Sequence, residues 1–390
     1  LINCFSSIKL KDLKSGDKMN VPKLRFKEFN DEWKKIQLDS FVDINPKNDS
    51  LPEQFIYIDL ESVNNGILTT RKIINKSEAP SRAQRTIKEN DILYQTVRPY
   101  QMNNLFVKNF DSDYPYIAST GYALLRTKEN PYFVYSILYQ KSFVNKVLDM
   151  CTGTSYPAIS ANDLGTITVG LPSLKEQEKI SKTLELLDKK IELQSKKIEA
   201  LKLFTKKLET QYIFNSNNEY NKKRIDEIFN VKAGGDLNKN NISFIKTPLF
   251  CYPIYSNNLE MNGLYGYSDI YKIGEESITV TGRGDIGKAI KREGKYYPIV
   301  RLLVLIPKIS VNLIYMQEAI NNLKLIQEST GVPQLTAPQI SKYKVSYPTL
   351  DIQNEYGDIL LLLQEKIKYE ISKAEKLQQL KKGLMQSMFV

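Results

Sequence analysis

The 390-residue chain contains no histidine. That removes imidazole general bases, Ser-His-Asp triads and histidine-containing metal sites from its chemistry. Its cysteines, Cys4, Cys151 and Cys251, are too far apart to form a CxxC pair. Scattered cysteines offer no disulfide framework and fit a reducing compartment. Trp33 is the single tryptophan, and a large lone aromatic belongs in a core more often than at a contact. No run approaches the roughly 18 apolar residues of a membrane-spanning helix. Residues 1–20 lack an apolar stretch followed by a small-residue cleavage site. Nor is there a framed pair of carboxylates or a glycine-rich cofactor loop. The chain is expected to be non-catalytic, with no metal or cofactor of its own.

What is present is charge and repetition. Charged residues make up 25% and hydrophobic ones 42%, a globular balance. The net charge is +11 and the pI about 9.1. Such an excess favours a polyanionic partner, most simply nucleic acid, although solubility alone accounts for it too. The length allows two domains with real cores.

The chain states one pattern twice. Gly153-Thr154-Ser155-Tyr156-Pro157-Ala158-Ile159 leads into Leu171-Pro172-Ser173-Leu174-Lys175-Glu176-Gln177 and a long charged helix. Gly331-Val332-Pro333-Gln334-Leu335 leads into Tyr347-Pro348-Thr349-Leu350-Asp351-Ile352-Gln353 and another. Pro157 and Pro333, Ile159 and Leu335, Pro172 and Pro348, and Gln177 and Gln353 all lie 176 positions apart. Two copies of one module are implied. Each reads as α+β, with short irregular strands. Phe55–Asp59, Asp91–Val97 and Tyr122–Arg126 are candidates in the first copy, and Ser277–Thr281 and Val300–Leu305 in the second. Helices are expected over 131–150 and 311–326.

Each module is followed by a stripe of coiled-coil length. Ile180, Leu184, Leu187, Ile191, Ile198 and Leu201 form the first; Ile359, Leu363, Ile367, Ala374, Leu377 and Leu384 form the second. Narrow apolar stripes with charged flanks favour helix packed on helix, so an antiparallel coiled coil joining two modules is the expected architecture. Ser173 and Glu176 have capping-box spacing. A helix of about 36 residues spans about 54 Å, more than one turn of B-DNA.

Candidate contact residues cluster at strand exits. Thr96, Arg98 and Tyr100 follow one strand, and Thr281, Arg283 and Lys288 follow its counterpart. An arginine fork matches guanine or phosphate; a salt bridge within its own module is the plainer alternative. Gly153, Thr154 and Ser155 form a small hydroxyl-rich loop that could approach phosphate, and Gln334 could pair with adenine; both also suit an ordinary turn. Arg71, Lys72, Lys76, Arg82, Arg85, Lys291 and Arg292 could track a backbone or simply be solvated. Gly282 to Lys288 has the GxxxxGK spacing of a phosphate loop, but Ala289 stands where a magnesium-binding hydroxyl is required. Asn130-Pro131-Tyr132-Phe133 lacks the second proline of the adenine amino-methyltransferase string and reads as a helix start.

Taken together, the duplication, the opening Val21-Pro22-Lys23-Leu24-Arg25-Phe26 with Phe29 and Trp33, the Gly153–Ile159 stretch and the helix entry Leu171–Ile180 resemble the specificity subunits of type I restriction-modification systems. The resemblance implies a cytoplasmic DNA-binding subunit. Residues 20–172 and 222–348 would be target-recognition domains, each reading half of a bipartite asymmetric sequence. The helices 173–214 and 349–388 would set the spacer and dock partners. Residues 1–19 are expected to be a loose extension. The implied partners are double-stranded DNA, two modification subunits that bind S-adenosylmethionine, and two restriction subunits that use ATP and magnesium.

Overall fold

The computed structural model describes residues 8–10, 20–47, 50–109, 112–153, 155–213, 220–323, 325 and 333–390. The chain divides into two compact units, residues 1–195 with 373–390, and residues 196–372.

In the first unit, four antiparallel strands run in the order Leu105–Phe106, Ile92–Gln95, Tyr122–Thr127, Val42–Ile44. A second sheet runs Lys72–Asn75, Gln54–Ile58, Tyr116–Ser119, Ala83–Thr86, with its central pair parallel. The second unit repeats the first sheet: Ala289–Arg292, Ser277–Val280, Leu303–Pro307, Phe229–Ala233. Registers agree as well, with Ile92 opposite Leu125 and Ile278 opposite Leu305. Its other sheet has three strands, Leu264–Ser268, Tyr252–Tyr255 and Tyr297–Pro298. In both units a strand near the start pairs with the strand that runs into the long helix. Lys34–Gln37 pairs with Thr168–Leu171, and Asn221–Arg224 with Lys344–Tyr347. Residues 8–10 pair with Leu24–Phe26; the rest of 1–19 lies outside the described residues.

The helix expected over 131–150 is two helices, Pro131–Ile137 and Lys141–Met150. The break comes where Gln140 is extended and its side chain donates back to the Ser136 carbonyl. The turn lets Phe143 and Val147 enter the core, where Phe143 meets Tyr94 edge-on. Its counterpart is Leu313–Asn321, shorter than expected; Ile326 lies outside the described residues. Trp33 is buried between Phe133 and Phe389.

The long helices are Leu174–Ile213 and Leu350–Ser387. In the first unit Ile180, Leu184 and Leu187 share a core with Leu384 and Met388, and Lys381 pairs with Asp188 at 2.5 Å. In the second, Leu208 and Tyr212 meet Tyr356 and Leu360, and Lys197 pairs with buried Glu370 at 2.6 Å. The start of each helix therefore lies with the end of the other, an antiparallel coiled coil in the 3-4 spacing that seam packing requires. Ile191, Ile198, Leu201, Leu363, Ile367, Ala374 and Leu377 are partly buried on that spacing. Ile359 is likewise partly buried, and the second helix also buries Tyr356 and Leu360, which the expected stripe did not include. The long helices bury polar residues as well: Gln194 and Glu370, 176 positions apart, are both buried.

The expected capping box is replaced by a longer-range contact. Both oxygens of Glu176 accept from Arg25, Nε and Nη2 each at 2.7 Å, with both side chains buried. A guanidinium brought to the helix start offers two charge-assisted bonds where a cap offers one neutral donor.

Candidate functional site

In each unit the strand exit is stitched to the second repeated motif. In the first, Ile159 N–H donates to the Thr96 carbonyl at 3.1 Å, and Arg98 N–H to that of Pro157 at 2.7 Å. In the second, Leu335 N–H donates to the Gly282 carbonyl at 2.9 Å. Features separated by some 50 residues or more thus form one surface twice.

Thr96 and Thr281 build this surface from beneath. Both are buried. Thr96 Oγ1 donates to the Gly121 carbonyl at 2.9 Å. Thr281 Oγ1 donates to the Asp285 carbonyl at 2.5 Å and accepts from Lys288 N–H at 2.9 Å. The phosphate-loop-like string is folded around Thr281: Gly287 N–H donates to its carbonyl and Lys288 N–H to its hydroxyl. Lys288 itself is exposed.

The first unit presents Arg98, Tyr100 and Tyr156. Arg98 and Met102 have left-handed backbones, with φ of 54° and 52°, around a tight turn that leaves Tyr100 half-exposed. The Arg98 guanidinium lies over the Tyr156 ring at 4.3 Å. Gly153 sits at φ 90°, a conformation that costs glycine little. Ser155 is exposed, and Thr154 lies outside the described residues.

The second unit presents Arg283, Arg301 and Gln334. Gln334 Oε1 accepts from Arg283 Nε and Nη2 at 3.3 and 3.1 Å and from Arg301 Nη1 at 2.8 Å. Arg301 was not legible as a site residue: it falls inside the expected strand Val300–Leu305, whereas the strand runs Leu303–Pro307 and residues 300–301 form a turn. Its turn is unusual. Val300 and Arg301 both have positive φ, 49° and 58°. A β-branched residue there is strained by on the order of 1–3 kcal/mol. Asn257 holds the turn, donating to the Val300 carbonyl at 2.6 Å while accepting from Gly282 N–H at 2.7 Å. Beside it, Met261 and Asn262 are also left-handed, and Met261 is exposed.

Arg292 does not belong to the basic surface. It is buried, stacked 3.7 Å from the Tyr255 ring, and donates to Thr279 Oγ1 and the Asn262 carbonyl. Burial pulls its pKa below the usual arginine value. It supports the Met261 turn from inside. Arg98, Arg283 and Arg301 are only partly buried or exposed and have no carboxylate partner among the described residues, whereas Arg25 and Arg126 are doubly bonded to carboxylates. Forks held in place by an aromatic face or an amide keep donors for an external acceptor. Among the described residues no His, Cys, Asp or Glu cluster could hold a metal ion, and no helix is long and apolar enough to cross a membrane.

The family model described as the type I restriction modification DNA specificity domain matches residues 30–203 and again 217–382. The chain belongs to this family. The double match coincides with the duplication seen in fold and registers. A Mycoplasma pneumoniae protein named as a type I specificity subunit is 32% identical over 216 residues, 53% of this chain and 58% of its own length. A second from that organism is 28% identical over 61% of this chain and 74% of its own. The crystal structure of a type I restriction-modification S subunit from M. genitalium has the same fold, with TM-score 0.62 and 18% identity over 98% of this chain and 99% of that one. A chain from a structure of type I complex assembly aligns at TM-score 0.57 and 19% identity, covering 90% and 96%.

Proposed function

We propose that this chain is the DNA-reading subunit of a type I restriction-modification complex, with recognition domains at 20–172 and 222–348 and helices at 173–214 and 349–388. Each domain reads one half of a bipartite target, and the chain supplies no chemistry itself. The observation that carries this is the duplicated stitched surface with its carboxylate-free arginines. Steering toward phosphate follows from the net charge, and discrimination from the forks. The halves differ in chemistry, a stacked Arg98 and Tyr156 against an Arg283–Gln334–Arg301 cluster. Two different half-sites, and so an asymmetric target, are the consequence.

Partner docking is best supported on the long helices. Leu186 and Leu193, one heptad apart, are 41% and 57% exposed; Leu362 and Tyr369, each 176 positions on, are 68% and 60% exposed. Equivalent apolar patches suit two copies of the same protein, here the modification subunit that carries S-adenosylmethionine. Restriction subunits, with ATP and magnesium, join that assembly. Changing Leu186 and Leu193 to Asp is expected to reduce the bound modification subunits from two to one, as counted by native mass spectrometry; a complex that keeps two rejects the patch.

The reading itself is tested by a methylation map. The chain is co-expressed with its cognate modification subunit in a methylation-free host, and N6-methyladenine is read by single-molecule sequencing. A split asymmetric motif that disappears without this chain is the expected result. An assembled complex with no motif points instead to a scaffold or a DNA-binding regulator.

A further inference from the structure

Gln177 and Gln353 make the same joint in both units. Each is buried one turn into its long helix. Gln177 Nε2 donates to the Pro172 carbonyl at 3.0 Å and to Glu129 Oε2 at 2.8 Å, while its Oε1 accepts from Asn130 N–H at 3.2 Å. Gln353 Nε2 donates to the Pro348 carbonyl at 2.9 Å, and its Oε1 accepts from Asn312 N–H at 3.0 Å. Asn130 and Asn312 are the caps of the module helices Pro131–Ile137 and Leu313–Asn321. A single amide therefore ties the last strand of the module, the start of the long helix and the cap of the module helix.

The next turn of each long helix completes the joint from equivalent positions. Ser181 Oγ donates to Asn130 Oδ1 at 2.7 Å. Gly357, 176 residues on, lies so close to Asn312 that a Cβ would stand 2.9 Å from both its amide atoms. A side-chain amide carries donor and acceptor together on one uncharged planar group. Glutamate would lose the donor, and an apolar residue would leave a buried N–H and C=O unpaired.

We infer that Gln177 and Gln353 are positioning residues that fix the angle of each module on its own helix, and that this angle sets which spacer between half-sites is accepted. The inference rests on the DNA-reading function proposed above. A tilt of about 10° over a lever of about 20 Å moves a loop by about 3.4 Å, the rise of one base pair. Helix length alone would then not determine the spacer.

The test uses the methylation map on whole complexes. The wild type must first give one split motif with one spacer; without it the DNA-reading proposal fails, not the joint. Gln177→Met and Gln353→Met keep side-chain length and remove the amide. Gly357→Ala presses on Asn312 while leaving both glutamines. Each is expected to keep both half-sites but to methylate targets with a spacer one base pair longer or shorter, at a tenth or more of the original level. A merely structural role would lower methylation without admitting new spacers. A single unchanged spacer in all three variants overturns the inference, and if the methionine variants fail to assemble, Gly357→Ala decides alone.

Discussion

Replacing Arg283 or Arg301 by alanine is expected to weaken specific binding by about 1–3 kcal/mol each and to relax discrimination within one half-site only. Both guanidiniums converge on Gln334 Oε1 and have no carboxylate partner among the described residues. Bringing two like charges together is unfavourable until an acceptor-rich ligand arrives, so the cluster gains most from DNA. Because the two share Gln334, the double variant should lose less than the sum of the singles. Lysine at either position separates base from phosphate. It keeps the charge but loses the planar fork, so a base contact loses discrimination while a phosphate contact keeps its motif and its salt dependence. Fluorescence anisotropy across salt, with a library of half-site variants, measures both. Wild-type affinity and motif in both alanine variants would remove the cluster from the interface.

Breaking the Arg25–Glu176 pair is expected to be the most damaging single change to stability. Both side chains are almost fully buried, and both bonds are 2.7 Å. Glu176→Ala leaves a guanidinium buried and uncompensated, at a cost of about 3–5 kcal/mol. Arg25→Met strands the carboxylate with a similar cost. Replacing both together, Arg25→Met with Glu176→Leu, should recover much of the loss, since a well-packed apolar pair is often as stable as a buried ion pair. For a unit of this size each kcal/mol moves the melting temperature by about 2–4 °C, so the single variants should be evident in a thermal scan. A single variant within 1 °C of wild type would show that the pair contributes little. The pair also matters for organisation, because it fastens the strand Leu24–Phe26 to the first turn of the long helix.

Much of the molecule is periodic, and periodic features were legible. The repeated motifs predicted two copies of one α+β module, and the 3-4 spacing predicted two apolar stripes in an antiparallel pair. Where the sequence misled, a polar or charged residue had taken a structural place. Gln194 and Glu370 are buried on the long helices at places that an apolar count skips, and Gln353 is buried against the Asn312 cap. Glu176 left its expected cap for Arg25, and Arg292 left the surface for Tyr255. Thr96 and Thr281, expected as contact residues, are buried, and their hydroxyls close the loops from within.

The sequence by itself determined that the chain is a basic, histidine-free duplication with two long helices, because composition, repeat and heptad spacing are properties of neighbouring residues. Only the tertiary structure decided which arginines remain available. Arg283 and Arg292 stand nine positions apart, yet one stays partly exposed and bonded to Gln334 and the other is enclosed against Tyr255 and Thr279. That choice depends on groups brought from distant parts of the chain. Burial makes an unpaired charge expensive, and so the fold settles each arginine by the partner it can offer.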